Sequence, residues 1–198
     1  MEFSTLAPAS RPPHPRNRRL LAAVLTLLLG TGALASPSRT PAPGMPAPPF
    51  SGAQLNGGTV ELEALRGHVV LLNFWAVGCP PCRIEMPELE KIHRRYSGRG
   101  LRVIGIAEMD PARDQVARFV AEIDVTYPVL IDAGARIGTL YGIEAHPTSV
   151  VIDARGTVRF VNVGYLKGEE KEIERAVRAA LAAGGVIGKP PDARGGRP

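Results

Sequence analysis

The chain contains only two cysteines, Cys79 and Cys82, and Pro80 and Pro81 separate them. They follow the apolar run 69–75 and precede a helix-like segment, so we expect them where a buried strand leads into a helix N-terminus. The unpaired N–H groups and partial positive charge of such a helix end stabilise a thiolate over a thiol. The pattern therefore predicts a redox dithiol, in which Cys79 is the nucleophile and Cys82 attacks whatever Cys79 has captured.

A pair of cysteines is also a common half of a metal site. Zinc needs two further ligands at suitable spacing, and the chain has no second cysteine pair. His93 lies about three turns along the predicted helix and His68 precedes the strand, which leaves His146 as the third ligand. Redox use is favoured, with no metal and no cofactor beyond the redox-active disulfide. A copper or zinc carrier that uses Cys79, Cys82 and His146 is the alternative from another class of function.

Three segments of the chain carry a family resemblance: the entry Pro-Ala-Pro-Pro-Phe at 46–50, the run 65–75 that leads to the dithiol, and His-Pro-Thr at 146–148. They resemble the thioredoxin superfamily, and more narrowly the extracytoplasmic, often membrane-tethered thioredoxin-like proteins of the TlpA/ResA kind. The resemblance covers about residues 45–181. It implies an α/β thioredoxin fold, a central mixed sheet flanked by helices, with an N-terminal β-hairpin extension and an inserted strand-helix element.

The residue pattern agrees with this fold. Asn-Gly-Gly at 56–58 is a turn signal between two short strand-like pieces, which predicts the hairpin. The apolar runs 69–75 and 101–107 are typical of central strands that are covered on both faces. We expect the next helix to start at Asp110-Pro111, with Asp110 as its N-cap. Alternation of strands and helices predicts a parallel sheet with helices on both faces.

Asn73 interrupts the apolar run before the dithiol, and it bears on proton transfer. In cytoplasmic thioredoxins the matching position typically holds a buried Asp that handles the proton of the second cysteine, and Asn cannot do this near neutral pH. Glu85 lies three residues after Cys82 on the same predicted helix face, so its carboxylate can approach the Cys82 sulfur. Partial burial there would raise its pKa and make it a proton acceptor. TlpA/ResA-like proteins carry Glu here, and a solvated helix glutamate is the alternative.

Pro147 directly precedes the predicted strand 149–153. By resemblance it matches the cis-proline of thioredoxin-like folds, in a loop that with Thr148 presents backbone groups to an extended substrate segment. In the family this loop also keeps metal away from the dithiol. The imidazole of His146 either lies near Cys79, where its protonated form would stabilise the thiolate, or faces solvent.

The resemblance further marks Trp75, Asn73, Pro80 and Pro81 as supporting or substrate-binding positions. The chain departs from many relatives at Gly78, where they carry Trp directly before the first cysteine. Loss of a flat aromatic side chain at this place changes the access of a partner, so substrate preference does not carry over from the family.

The net charge of +5 is not spread over the chain. Residues 1–44 carry five Arg and one Glu, and residues 182–198 carry three basic residues and one Asp. The remainder holds 16 basic and 17 acidic residues, so the predicted domain is near neutral. No basic groove with interleaved aromatic residues is evident, and we expect no nucleic acid as partner.

The N-terminus has the three parts of a secretory signal. Arg16, Arg18 and Arg19 precede the apolar run 20–29, and a small-x-small pattern ends at Ala35. The apolar stretch is shorter than the ~20 residues that span a bilayer. Cleavage after Ala35 is favoured, and retention as an N-terminal membrane tether is the alternative.

These signals divide the chain into four parts. Residues 1–35 form a signal peptide or membrane anchor, and 36–48 form a proline-rich, extended linker. Residues 49–182 form the thioredoxin-like domain. Residues 183–198, rich in Gly, Pro and Arg, form a disordered tail.

The sequence predicts a thiol-disulfide oxidoreductase that acts outside the cytoplasm, in the periplasm or at the outer face of the inner membrane. The resemblance implies a reductant of protein disulfides, kept reduced by a membrane electron donor of the thiol-disulfide type. By that analogy its clients are apocytochrome c haem-site cysteines or copper-delivery proteins of cytochrome oxidase. We expect a monomer.

Two other redox functions are alternatives to the reductant. An oxidant that forms disulfides is the first alternative, because direction depends on a reduction potential that sequence does not define. A peroxidase is disfavoured, because Ala76 stands where peroxidase-type relatives use Thr.

Overall fold

In a computed structural model, residues 40–184 of the chain form the described part of the protein. The predicted signal segment 1–35, the start of the predicted linker and most of the predicted tail lie outside these residues. Along residues 40–184 the elements are β1 (Ser51–Ala53), β2 (Thr59–Glu61), β3 (Val69–Ala76), α1 (Pro80–Tyr96), β4 (Leu101–Glu108), α2 (Arg113–Ile123), β5 (Val129–Ile131), α3 (Arg136–Leu140), β6 (Thr148–Ile152), β7 (Val158–Val163) and α4 (Glu170–Ala183).

A five-stranded sheet with the strand order β5-β4-β3-β6-β7 forms the centre of the domain. β3, β4 and β5 are parallel, because the helices α1 and α2 cross over between them. β6 is antiparallel to both β3 and β7, and a short hairpin joins it to β7. The predicted mixed sheet with flanking helices is confirmed, and its parallel part is limited to three strands.

All eight residues of β3 are buried, because helices and loops cover both faces of the sheet. Alternate residues point to opposite faces. Val69, Leu71 and Trp75 join the cluster beneath α1, α2 and α4. Leu72 and Phe74 join the cluster beneath α3 and the N-terminal segment. The carboxyl end of β3 is therefore held on two sides, and the dithiol follows it directly.

The predicted hairpin is confirmed as the separate two-stranded sheet of β1 and β2. The predicted start of the domain at residue 49 is too late. Gly44 N–H donates to the Val158 carbonyl, Val158 N–H donates to the Met45 carbonyl, and Ala47 is buried. The extended backbone between the prolines keeps free N–H and C=O groups, which pair with the edge strand β7. Residues 42–48 of the predicted linker thus belong to the domain.

The predicted N-cap at Asp110 is wrong. Helix α2 begins at Arg113, and Ala112 occupies the cap position without a side-chain hydrogen bond. The carboxylate of Asp110 instead accepts a hydrogen bond from Gly134 N–H at 2.6 Å. The loop before α3 therefore uses the side chain that the local pattern assigned to α2.

Asp132 holds the N-terminus of α3, and its loss tests this part of the fold. Its buried carboxylate accepts hydrogen bonds from the backbone N–H groups of Ile137 at 3.0 Å and Gly138 at 2.8 Å. Asp132→Ala leaves both groups without a partner, so we expect the free energy of unfolding to fall by about 2 kcal/mol. Urea denaturation measures the change. Asp114→Ala, at an exposed position, should stay within about 0.5 kcal/mol of wild type, and equal effects of the two substitutions would contradict the assignment.

Candidate active site

Cys79 and Cys82 lie at the N-terminus of α1 and are joined by a disulfide. Cys79 is the N-cap residue, and its sulfur accepts a hydrogen bond from Cys82 N–H at 3.3 Å. Cys79 is half-buried, whereas Cys82 is fully buried. Only Cys79 is open to a partner, and it has the helix N–H groups that stabilise a thiolate.

The turn between β3 and α1 explains how the sequence places Cys79. Cys79 N–H donates to the Ala76 carbonyl at 3.2 Å, which closes a tight turn directly after the strand. Gly78 within this turn has a φ of +88°, a conformation in which any L side chain is strained. The chain therefore has a conformational reason for glycine where many relatives carry Trp. Pro80 occupies the first helical position, where its fixed φ suits the helix and its missing N–H costs nothing.

Glu85 lies on α1 three residues after Cys82 and is fully buried, so the alternative of a solvated helix glutamate is wrong. The side-chain amide of Asn73 donates to Glu85 Oε2 at 2.7 Å, and the Ser149 hydroxyl donates to Oε1 at 3.0 Å. Burial disfavours the charged form and raises the pKa of Glu85 to about 7, although both hydrogen bonds act in the opposite direction. Glu85 and Cys82 share one face of α1.

Ser149 belongs to this site, and sequence reasoning missed it. Its Cα pairs with that of Asn73 across β3 and β6. The two side chains are also within 3.2 Å of each other. Only the register of two strands more than seventy residues apart brings them together, and no local pattern reports that register.

Two predicted supporting residues are buried. Trp75 stacks on Phe119 with the ring centroids 4.8 Å apart and contributes to the core. The Thr148 hydroxyl donates to the Ala145 carbonyl at 2.7 Å. Both side chains stabilise the site from the interior of the domain, and neither is accessible to a docking protein.

The His146–Pro147 peptide bond is cis, as the resemblance predicted. Gly164 N–H donates to the Pro147 carbonyl at 2.7 Å, and Thr148 pairs with Phe74 near the end of β3. The loop before β6 therefore lies at the same end of the sheet as the dithiol. The imidazole of His146 pairs with Glu108, its Nε2 lying 2.6 Å from Glu108 Oε2. Sequence reasoning did not suggest this partner.

Residues 40–184 contain no group of three or more His, Cys, Asp and Glu side chains placed to hold a metal ion. Cys79 and Cys82 are bonded to each other, and the imidazole of His146 pairs with Glu108. A cleft of about 660 Å³ lies between Tyr96, Arg99 and α4, and neither cysteine lines it. Among the helices within 40–184, none is long and apolar enough for a membrane crossing.

A thioredoxin-like sheet, with a cis-proline at the same end as a Cys-x-x-Cys helix start, defines the thioredoxin class of thiol-disulfide oxidoreductases. Residues 43–161 match the model of the AhpC/TSA family, and the chain belongs to this family.

The relatives agree with this class. Over 163 residues the chain is 34% identical to the thiol-disulfide oxidoreductase ResA of Bacillus cereus, which covers 78% of this chain and 91% of ResA. A thiol:disulfide interchange protein of the thioredoxin family from Chlorobium tepidum has a crystal structure with a TM-score of 0.62 and 33% identity, covering 71% of this chain and 98% of that one. A secreted disulfide oxidoreductase of Mycobacterium tuberculosis matches with a TM-score of 0.60 and 27% identity, covering 66% and 95%. The protein is a thiol-disulfide oxidoreductase.

The raised pKa of Glu85 predicts how stability depends on pH. The ordinary pKa of this carboxyl is 4.5, and its folded-state pKa is about 7. Between these values the folded state binds more protons than the unfolded state, so stability falls as pH rises. The stability that protonated Glu85 contributes is fully present below pH 4.5 and is lost by about pH 7. The free energy of unfolding falls by about 3 kcal/mol over this range. Urea denaturation of the oxidised protein from pH 4.5 to 8 measures it.

Glu85→Gln should remove this part of the pH dependence, because the amide does not titrate. The exposed Glu61→Gln variant is the control and should keep the wild-type slope. An unchanged slope in Glu85→Gln would show that another group is responsible.

Proposed function

We propose that the protein is an extracytoplasmic reductant of protein disulfides. The observation that carries this proposal is the arrangement of an accessible Cys79, a buried Cys82 and a buried carboxyl at Glu85 on one helix end. The two sulfurs differ in access, and the carboxyl titrates near working pH. Cys79, Cys82 and Glu85 therefore suit different steps of disulfide exchange.

In the first step the Cys79 thiolate attacks one sulfur of the partner disulfide. The partner S–S bond breaks, a mixed disulfide forms, and the second partner sulfur leaves as a thiolate. Glu85 then accepts the proton of Cys82, and the Cys82 sulfur attacks Cys79. The partner leaves with two reduced sulfurs, and the Cys79–Cys82 disulfide remains.

The surface around the dithiol suits a protein as the substrate. Exposed apolar side chains lie on three flanking segments: Val77 precedes the helix, Ile84 follows its first turn, and Val163 lies opposite Thr148 on the neighbouring strand. Cys79 is half-buried and not enclosed, so a protein that covers this surface can reach it.

The charge at Glu85 supports the reducing direction. Within residues 40–184 Glu85 forms no ion pair, and its hydrogen-bond partners are the neutral Asn73 and Ser149, so no paired cation neutralises its charge above pH 7. Reduction adds thiolate charge nearby, and the carboxylate opposes it, whereas the disulfide is neutral. The carboxylate therefore favours the oxidised form of this protein, which is the property of a reductant.

Two observations support a location outside the cytoplasm. The sequence predicts a signal peptide or membrane tether, and one structural relative is described as secreted. In this setting a membrane electron donor of the thiol-disulfide type returns the protein to its reduced state. By analogy, clients are apocytochrome c haem-site cysteines or copper-delivery proteins of cytochrome oxidase, and the protein acts as a monomer.

Replacing each cysteine separately tests the assigned order of attack. Cys79→Ser should abolish insulin reduction with dithiothreitol as electron source, because the accessible nucleophile is lost. Cys82→Ser should trap the mixed disulfide, which a non-reducing gel detects as a dithiothreitol-sensitive covalent complex. Trapping by Cys79→Ser instead would reverse the roles of the two cysteines.

The equilibrium reduction potential of the Cys79–Cys82 pair, measured against glutathione, tests whether the protein acts as a reductant or as an oxidant. We expect a value below that of the glutathione couple, and a value above it would support the oxidant alternative. Glu85→Gln should raise the potential by about 30 mV at pH 8, where the carboxylate is charged, and should leave it unchanged at pH 5.5. An equal shift at both pH values would show that charge at Glu85 is not the cause.

A further inference from the structure

Glu108, the last residue of β4, is a buried carboxylate that the mechanism above does not use. Its Oε2 lies 2.6 Å from Nε2 of His146, whose side chain is one-fifth exposed. No Lys or Arg forms an ion pair with Glu108 within residues 40–184. A buried carboxylate is costly without a hydrogen-bonding partner, and His146 is that partner here.

The fold makes room for this carboxylate at Gly138. A Cβ atom at position 138 would lie 1.5 Å from Glu108 Oε1, so only glycine allows the observed position of the side chain. Asp132 in turn holds Gly138 N–H at the start of α3. Two elements, β4 and α3, thus place the Glu108 carboxylate against the loop before β6.

The loop before β6 is fixed at each residue in a different way. The Ala145 carbonyl accepts from the Thr148 side chain, and the Pro147 carbonyl accepts from Gly164 N–H. The backbone N–H and C=O of His146 form no hydrogen bond with another residue of 40–184. Its side-chain contact with Glu108 is therefore the hydrogen bond that holds residue 146.

Residue 146 lies at the same end of the sheet as the dithiol. Glu108 pairs with Ala76 across β3 and β4, and the Ala76 carbonyl accepts from Cys79 N–H. A free backbone N–H and C=O in an ordered loop can pair with an extended peptide segment. Binding is tighter when the loop is already ordered, because no conformational freedom is lost on association.

We propose that Glu108 is a positioning residue for protein substrates. Through His146 it fixes the backbone of residue 146 at the dithiol end of the sheet, so that this backbone pairs with an extended segment of the substrate. The inference rests on the proposed function, since it concerns how the same site binds a protein disulfide. It assigns Glu108 to docking, and it leaves the chemistry to Cys79, Cys82 and Glu85.

Kinetics with a large and a small disulfide test this assignment in the full chain. The two substrates are insulin and bis(2-hydroxyethyl) disulfide, with dithiothreitol as electron source. Glu108→Ala should raise KM for insulin about fivefold, with kcat within about twofold of wild type. Its rate with the small disulfide should be unchanged, because that substrate has no peptide segment to pair. Glu108→Gln keeps an oxygen that accepts from Nε2 and should restore KM to within about twofold of wild type.

Gly138→Ala is a second way to disturb the contact between Glu108 and His146. The added methyl group displaces the Glu108 carboxylate without changing Glu108 or His146, so KM for insulin should rise as in Glu108→Ala. Glu144→Ala, at an exposed residue of the same loop, is the control and should leave KM unchanged. Urea denaturation confirms that each variant is folded under the assay conditions.

Three outcomes would overturn the inference: an unchanged KM for insulin in Glu108→Ala, an equal loss with both substrates, or a loss in Glu108→Gln as large as in Glu108→Ala. A wild-type protein that reduces neither substrate would instead overturn the proposed function. The two failures are therefore distinguishable.

Discussion

Exclusion of the Glu85 carboxyl group from solvent is the constraint on which the active site depends. A carboxylate without hydration is disfavoured, and two neutral donors, Asn73 and Ser149, replace that hydration only in part. A Lys or Arg in contact with this carboxyl group would have kept it charged at every working pH. Because its partners are an amide and a hydroxyl, Glu85 can take up and release a proton near neutral pH, on the same helix face as Cys82.

A second buried carboxylate at the same end of the sheet has a different partner. Glu108 meets an imidazole, whereas Glu85 meets an amide and a hydroxyl. The two carboxylates also project from different elements. Glu85 projects from the helix that carries both cysteines, and Glu108 projects from β4 toward the loop that includes Pro147. We propose that the first carboxylate serves proton transfer and that the second places this loop.

Predictions from short-range patterns agree with the structure where burial alone decides the outcome, and they fail where a distant segment takes the same side chain or backbone group. The apolar run 69–75 forms a central strand because every side chain in it gains by burial on either face. Asp110 has the right type and place for an N-cap, yet a loop more than twenty residues away takes its carboxylate. The proline-rich segment up to residue 48 has the composition of a linker, but an available sheet edge binds its backbone.

By itself the sequence determined the order of reactive groups along α1. Cys82 follows Cys79 by three residues and Glu85 follows Cys82 by three, and helical periodicity alone makes residues at this spacing neighbours. Only the tertiary structure decided which groups surround them. Ser149 lies 64 residues from Glu85, and Glu108 lies 38 residues from His146. The packing of α1 on the sheet and the strand order β4-β3-β6 bring these partners together, and both depend on the whole domain, which no local pattern records.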